Sequence, residues 1–158
     1  MKKLVLVCAV CLMAVVGVAL AQAGKPHILT VPLDIKWGDP PPIFERGASF
    51  AVLSGDPGQP GPFVVRLKLP PGYKIAPHWH PTDEHVTVLS GTFAAGMGEK
   101  FDELAMKNLP VGGYALLPAE MRHYAMAKTA AVIQVHGIGP FVLTYVNPAD
   151  DPSKRPAK

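Results

Sequence analysis

Short hydrophobic runs, separated by proline and glycine, make up most of this chain after residue 48. Their even spacing, with turn residues between them, is typical of an all-β sandwich or barrel. Within residues 62–69, PFVVRLKL, apolar and charged residues alternate, so Phe63 and every second residue up to Leu69 are predicted to share one face of a strand. We expect strands in eight runs: Ser49 to Leu53, Phe63 to Leu69, Val86 to Leu89, Thr92 to Met97, Tyr114 to Leu117, Tyr124 to Ala127, Ala131 to His136 and Phe141 to Val146.

One internal stretch and both ends of the chain break this pattern. Residues 101–109, FDELAMKNL, have apolar residues at helical spacing and predict one or two helical turns. Residues 22–47 include three consecutive prolines, which lack the N–H of a sheet ladder, so we expect a proline-rich N-terminal arm there. Residues 48–146 are then a single β-barrel domain, and residues 147–158 are predicted to be a flexible C-terminal tail.

The first segment has the features of a secretory signal peptide. Two lysines precede an apolar run over residues 4–21, which ends in two small-residue cleavage patterns, Ala19-Leu20-Ala21 and Ala21-Gln22-Ala23. We expect residues 1–21 to be a signal peptide that is cleaved after Ala21 or Ala23, and the mature protein to be periplasmic or secreted. The alternative is an uncleaved anchor, because this run is just long enough to cross a bilayer.

Cleavage changes which chemistry the chain can offer. Removal of residues 1–21 leaves 137 of the 158 residues, takes away both cysteines, and leaves 13 of the 15 basic residues against 12 acidic ones. Disulfides, thiol catalysis and cysteine-ligated zinc are therefore excluded. A nearly neutral chain has no electrostatic footprint for nucleic acid. We expect a small-molecule partner, and no stable membrane association after cleavage.

Three of the six histidines lie close together, in HWHPTDEH at residues 78–85. His78 and His80 are two residues apart, so on an extended strand both side chains project from the same face. Glu84 shares their parity and can return to that face across the intervening bend, whereas His85 is expected to point away. Two imidazoles and a carboxylate suit one divalent transition metal, either Fe, Mn, Ni, Zn or Cu.

This histidine pair belongs to a longer pattern. Between Gly72 and Gly91 the sequence reads G-x5-H-x-H-x3-E-x6-G, and a second motif runs from Gly112 through Pro118 to His123. The two motifs resemble those of the cupin superfamily, and more narrowly of the small single-barrel cupins that bacteria export. The resemblance implies a cupin-type barrel, which is a double-stranded β-helix or jelly roll, with at most one or two short helices.

The resemblance also implies which residues bind the metal. It assigns four protein ligands: His78, His80 and Glu84 from the first motif and His123 from the second. The second motif departs from the family pattern at Glu120, where the family often has glycine, and at Ala127, where it has asparagine. The first of these changes bears on the turn before His123.

Two further residues are candidates for acid–base catalysis. His136 ends the strand AVIQVH, and it would act as a general base or support the metal site if that strand face looked into the barrel. Glu120 lies in the loop before His123 and would act at the mouth of the pocket. The alternatives are a hydrogen-bonded or solvent-facing histidine and a solvated loop glutamate.

Four protein ligands leave open positions on a five- or six-coordinate metal. The resemblance implies three outcomes: an oxygenase, a metal-dependent isomerase or lyase, or a non-catalytic small-molecule or metal-binding module. We favour a metal-dependent enzyme on a small organic substrate, with dioxygenase chemistry slightly ahead, because that chemistry needs only metal and O2 in an exported protein. Cupin barrels commonly pair, so a homodimer is expected as an alternative to a monomer.

Overall fold

The computed structural model describes residues 27–155, which form ten β-strands. The strands are β1 (Ser49–Ser54), β2 (Gly61–Leu69), β3 (Lys74–Trp79), β4 (Glu84–Ser90), β5 (Phe93–Met97), β6 (Lys107–Leu109), β7 (Tyr114–Leu117), β8 (His123–Ala127), β9 (Ala131–Gly139) and β10 (Thr144–Tyr145). Helical structure among these residues consists of four 3-10 turns: Pro32–Asp34, Glu103–Ala105, Pro148–Asp150 and Pro152–Lys154. The all-β prediction is confirmed.

The strands form two five-stranded antiparallel sheets. One sheet has the order β1-β2-β9-β4-β7 and the other has the order β10-β3-β8-β5-β6. Many neighbours within a sheet are distant in sequence: β2 pairs with β9 along its whole length, from Gly61 opposite Gly139 to Leu69 opposite Ala131. This interleaved pairing is that of a double-stranded β-helix, so the predicted jelly-roll barrel is confirmed.

A hydrophobic core fills the space between the two sheets. Along β2, every second residue from Phe63 to Leu69 is buried while Lys68 is exposed, as the alternation predicts. These side chains pack with inward-facing residues of β4 and β9 such as Val88 and Ile133. Each fully buried aliphatic or aromatic side chain contributes about 1.5–3 kcal/mol. The core therefore fixes which face of every strand looks inward.

Residues 101–109 differ from the predicted helical segment. A single 3-10 turn forms there, and Asp102 caps it by accepting a hydrogen bond from the Leu104 N–H at 2.9 Å. The chain then extends into β6, which pairs with β5. Leu109 is buried in the core, whereas Leu104 is 97% exposed. Pairing at the sheet edge and burial of Leu109 outweigh the helical propensity of the segment.

Both ends of the described chain pack against the barrel. In the arm, residues 39–42 lie outside the strands, and an isolated bridge joins Gly38 to Phe50 of β1. After β10, where the sequence predicts a flexible tail, residues 147–155 contain two 3-10 turns, with Asp151 buried and hydrogen-bonded to Ser153 N at 2.9 Å. The two ends meet where Arg155 Nη1 lies 2.7 Å from Glu45 Oε1.

The predicted signal peptide, residues 1–21, lies outside the described residues, as do the first part of the arm up to residue 26 and residues 156–158. Between residues 27 and 155, no helix is long and apolar enough to cross a membrane. Signal cleavage and location therefore stay predictions.

Candidate metal centre

The structure brings together all four residues that the resemblance assigns as ligands. His78 lies on β3, His80 directly follows it, and Glu84 and His123 begin β4 and β8. One candidate ligand atom from each residue lies within 4.8 Å of every other. His78 and His123 are opposite each other in one sheet, while β4 brings Glu84 from the other sheet. The four residues, hereafter the quartet, are thus a set of donors compatible with a single ion.

Backbone carbonyl groups fix the orientation of all three imidazoles in the quartet. His78 Nδ1 lies 2.7 Å from Ala76 O, His80 Nδ1 2.9 Å from Val142 O, and His123 Nδ1 2.9 Å from Met121 O. Because a carbonyl oxygen only accepts, each Nδ1 carries the hydrogen and donates it, which leaves Nε2 as a bare lone pair. This tautomer and this kind of anchoring are usual for metal-binding histidines.

Two of the Nε2 atoms are buried without a partner. They belong to His80 and His123, and neither has a hydrogen-bond partner among the described residues. They lie 3.5 Å and 3.2 Å from Glu84 Oε2, so lone pairs face a carboxylate. A buried, unpaired polar group costs about 1–3 kcal/mol. A divalent cation among these atoms removes that cost, so the donor set fits a metal.

The protonation states of His78, His80 and Glu84 are also the ones that coordination requires. Burial, together with the neighbouring imidazoles, lowers the pKa of His78 to about 3. Burial also lowers the pKa of His80, although the nearby Glu84 carboxylate acts in the opposite direction. For Glu84, burial favours the neutral acid, but contacts with the three imidazoles outweigh it and lower the pKa. Neutral His78 and His80 imidazoles therefore face an ionised carboxylate.

The quartet opens into a cavity of about 260 Å³ inside the barrel. All the other described side chains that line it are apolar, and they include the small residues Ala95 and Ala125 and the larger Phe93. Phe141 stacks on the His80 ring, with centroids 4.0 Å apart. Segments outside the barrel strands complete the lining, and the sequence pattern did not indicate them as part of the site.

The two predicted acid–base residues lie elsewhere. On β9 the inward face carries Ile133 and Val135, whereas His136 is on the opposite face, where its ring stacks on His85 at 4.7 Å. The condition for a catalytic His136, a strand face that looks into the barrel, is not met. Glu120 is exposed and its side chain does not line the cavity. His85 points away from the quartet, as its parity predicts.

Glu120 nevertheless shapes the turn before His123. It has a φ of 63°, in the left-handed region that glycine enters without strain. Its N–H donates to His80 O at 2.8 Å, and Asp83 Oδ1 accepts from the Ala119 N–H at 2.8 Å, so the two ligand-bearing loops are tied together. The turn is therefore kept without the family's usual glycine, at a cost of about 1–2 kcal/mol.

Comparison with known protein families matches residues 25–142 to the ChrR cupin-like domain. The match spans well over half of the chain. The chain belongs to the ChrR cupin-like family. In this cupin, the matched span contains the whole quartet and ends at Val142, whose carbonyl orients His80.

Solved structures share the fold of this cupin at low sequence identity. A candidate acetylacetone dioxygenase from Methylibium petroleiphilum PM1 is 22% identical, with a TM-score of 0.60 over 82% of this chain and 88% of that one. The polyketide cyclase RemF from Streptomyces resistomycificus is 15% identical, with a TM-score of 0.62 over 84% and 92% of the two chains. A variant of salicylate 1,2-dioxygenase from Pseudoaminobacter salicylatoxidans, solved with gentisate, is 14% identical, with a TM-score of 0.54 over 65% and 30%. No curated protein matches the sequence.

Proposed function

We propose that this cupin is a metal-dependent dioxygenase of a small, largely apolar molecule that carries two neighbouring oxygen donors, such as a β-diketone or a catechol. One observation carries the proposal. Every polar side chain that lines the cavity belongs to the quartet, and the remaining lining is apolar. A substrate held there has its oxygen atoms at the quartet and its carbon skeleton against the apolar wall.

In this proposal, the residues of the quartet hold a metal ion in a fixed position. His78, His80 and His123 present three fixed Nε2 atoms, and Glu84 adds an anionic oxygen, which together hold a divalent transition metal. A metal held by these residues would supply Lewis acidity and the ability to activate O2 beside the substrate oxygens. Among the described residues Glu84 is the only carboxylate that lines the cavity, and its role is that of an anionic ligand to the metal. The apolar wall excludes water from the reacting atoms.

The same lining disfavours two other classes of substrate and reaction. Isomerase or lyase chemistry needs a free acid–base residue beside the metal, and both candidates, His136 and Glu120, lie outside the cavity. A phosphorylated or otherwise strongly anionic substrate needs a cationic partner, yet no lysine or arginine of residues 27–155 lines the cavity. The dioxygenase descriptions of two solved structures with the same fold support the choice.

A non-catalytic binding module is the second candidate. The lack of a free acid–base group in the cavity is the observation that favours it, since binding needs only the quartet and an apolar wall. Such a module would take up metal and small ligand without consuming oxygen.

Oxygen uptake by metal-loaded protein separates these functions. Protein loaded in turn with Fe(II), Mn(II), Ni(II), Cu(II) or Zn(II) is given acetylacetone, catechol, or a sugar phosphate as the anionic control. We expect uptake with at least one redox-active metal and a neutral oxygen chelator, none with the sugar phosphate, and none in a His123→Ala variant. Ligand-induced spectral changes without uptake for any metal would favour the binding module.

Export remains part of the proposal. Removal of residues 1–21 or 1–23 would deliver the barrel to the periplasm or the medium without its cysteines. The intact mass of protein recovered from those fractions measures the cleavage site. Recovery of the full-length chain in the membrane fraction would instead identify the segment as an uncleaved anchor.

A further inference from the structure

Part of the cavity wall comes from the N-terminal arm and not from the barrel. Pro41, Ile43 and Phe44 line the cavity although they precede β1. Ile43 and Phe44 are half-buried, and Phe44 packs against the hydrophobic core. We call residues 41–45 the arm wall. The site is therefore closed on one side by a segment that lies outside both sheets.

Few hydrogen bonds attach the arm wall to the barrel. Tyr145 OH donates to Ile43 O at 2.9 Å, and Tyr73 OH donates to Glu45 O at 2.6 Å. Within residues 39–45 the described backbone hydrogen bond is that from Phe44 N to Pro41 O, at 2.9 Å. No strand ladder therefore holds this segment. Two tyrosine hydroxyl groups are its main polar attachments, helped by the exposed ion pair between Glu45 and Arg155.

The arm wall is also close to the quartet. Tyr145 lies opposite His78 in the sheet register, and the centroids of their rings are 6.1 Å apart. The hydroxyl of the same tyrosine holds Ile43 O. A single side chain thus spans from a ligand strand to the arm wall. A ligand bound beside the quartet in the cavity must therefore share that space with the side chains of Ile43 and Phe44.

From these contacts we infer that Ile43 and Phe44 are specificity-determining residues, which set the size of the ligand admitted beside the quartet, and that Tyr73 and Tyr145 latch the arm wall in place. At about 260 Å³ the cavity is just below the range of ordinary ligand pockets, roughly 300–1,000 Å³, so a bulky side chain in its wall has a large effect. The inference rests on the proposed function only in requiring a metal with an open position.

Size-graded imidazoles test this without any turnover. Imidazole and 4-phenylimidazole are titrated into the Co(II)-loaded full-length protein, and the visible spectrum gives a Kd for each. We expect the wild type to prefer imidazole, and Phe44→Ala and Ile43→Ala to reduce that preference by about tenfold or more, because each truncation opens space for the phenyl ring. Leu33→Ala, at an arm residue that is 95% exposed and does not line the cavity, should keep the wild-type ratio.

A separate measurement tests whether the tyrosine hydroxyl groups hold the arm wall in place. Tyr73→Phe removes the hydroxyl that donates to Glu45 O and should speed the release of 4-phenylimidazole in stopped-flow measurements while the Co(II) spectrum is unchanged. Circular dichroism checks that each variant folds, and Ile43→Ala stands in if Phe44→Ala does not. An unchanged Kd ratio in both wall variants would overturn the inference, and so would failure of imidazole itself to bind the Co(II)-loaded wild type. If the Kd ratio shifts in the wall variants but no oxygen uptake is found, the proposed function is refuted and the inference about the arm wall stands.

Discussion

Two groups of histidines, one facing the inside of the barrel and one facing outward, have very different surroundings. His78, His80 and His123 are each at most 3% exposed, and the Nε2 atoms of His80 and His123 lie 3.5 Å and 3.2 Å from Glu84 Oε2. His85 and His136 lie opposite each other on β4 and β9, half-buried on the outer face, with parallel rings 4.7 Å apart. Strand parity places His85 on the outer face, since it directly follows Glu84, and the pairing of β9 with β4 places His136 beside it.

The two groups differ most in what holds Nδ1. Each inner histidine donates to a backbone carbonyl, which fixes the ring and leaves Nε2 bare. In the outer pair, His85 Nδ1 lies 2.7 Å from the Tyr114 hydroxyl, a side chain that is itself 53% exposed. An imidazole becomes a candidate ligand here through burial and main-chain anchoring, and not through the presence of another histidine nearby.

Alanine substitutions in the two groups test this difference most directly. His123→Ala removes a buried donor from the quartet, and we expect metal affinity to fall by more than about 100-fold, beyond the loss typical of residues that only support a ligand. His136→Ala is the matched control and should leave affinity unchanged. Elemental analysis and competitive titration with a chelator measure both. Wild-type metal stoichiometry in His123→Ala would remove the basis of the metal centre.

The pH dependence of stability offers a second contrast. The pKa of His78 is about 3 in the folded protein, against about 6.5 for an exposed histidine, so the unfolded chain binds more protons. Stability conferred by neutral His78 is therefore complete above pH 6.5 and is lost as pH falls towards 3. Between pH 6.5 and 5 this amounts to about 2 kcal/mol for the metal-free protein. The lowered pKa values of His80 and Glu84 act in the same direction.

Thermal unfolding of metal-free protein measures this loss. We expect Tm to drop by about 5 °C or more from pH 7 to pH 5 in the wild type and in His136→Gln, and to drop less in His78→Gln. A Tm that is constant over this range in the wild type would show that His78 is not held neutral by burial.

Much of the contrast between the groups was readable from the sequence. The H-x-H spacing, the parity of Glu84 and the opposite parity of His85 assign each residue to its face, and the second motif adds His123. The role of His136 was not readable, because the facing of β9 depends on its pairing with β2 and β4 along its whole length. The carbonyl partners of the imidazoles were not readable either, since main-chain groups leave no mark on residue identity.

The fold shows the same division between local and distant causes. Alternation in β2 predicted its buried face. In contrast, β3 does not form an apolar run in the sequence, because Lys74 and Pro77 interrupt it. Helical spacing at residues 101–109 was misleading, since pairing with β5 decides the conformation there. The position of the arm wall could not be predicted for a similar reason, because a proline-rich sequence does not indicate which surface of the barrel it will cover.

A change in the turn before His123 affects only the inner group and has a smaller effect. Glu120 has a left-handed backbone, so Glu120→Gly should relieve strain and stabilise the protein by about 0.5–1 kcal/mol after allowing for the greater freedom of glycine in the unfolded chain. Chemical denaturation measures the gain, and metal affinity should stay the same. Glu120→Ala, which keeps the strain, is the control. Destabilisation by glycine would mean that the Glu120 side chain supports the turn after all.

The smallest effect is expected in the outer group. Tyr114→Phe removes the hydroxyl group that meets His85, and because this contact is largely solvent-exposed the free energy of unfolding should change by less than about 0.5 kcal/mol. Metal content should not change. A measurable loss of metal in this variant would mean that the two faces of β4 are coupled, contrary to the separation described above.

The carbonyl of Val142, which accepts from His80 across 62 positions of the chain, sets a lower limit on the length of a working fragment. A truncated polypeptide that stops soon after β8 would include both motifs and all four donors, yet the ring of His80 would be free to rotate. Complete ordering of the donors therefore requires the chain to extend at least to Val142, in the segment between β9 and β10.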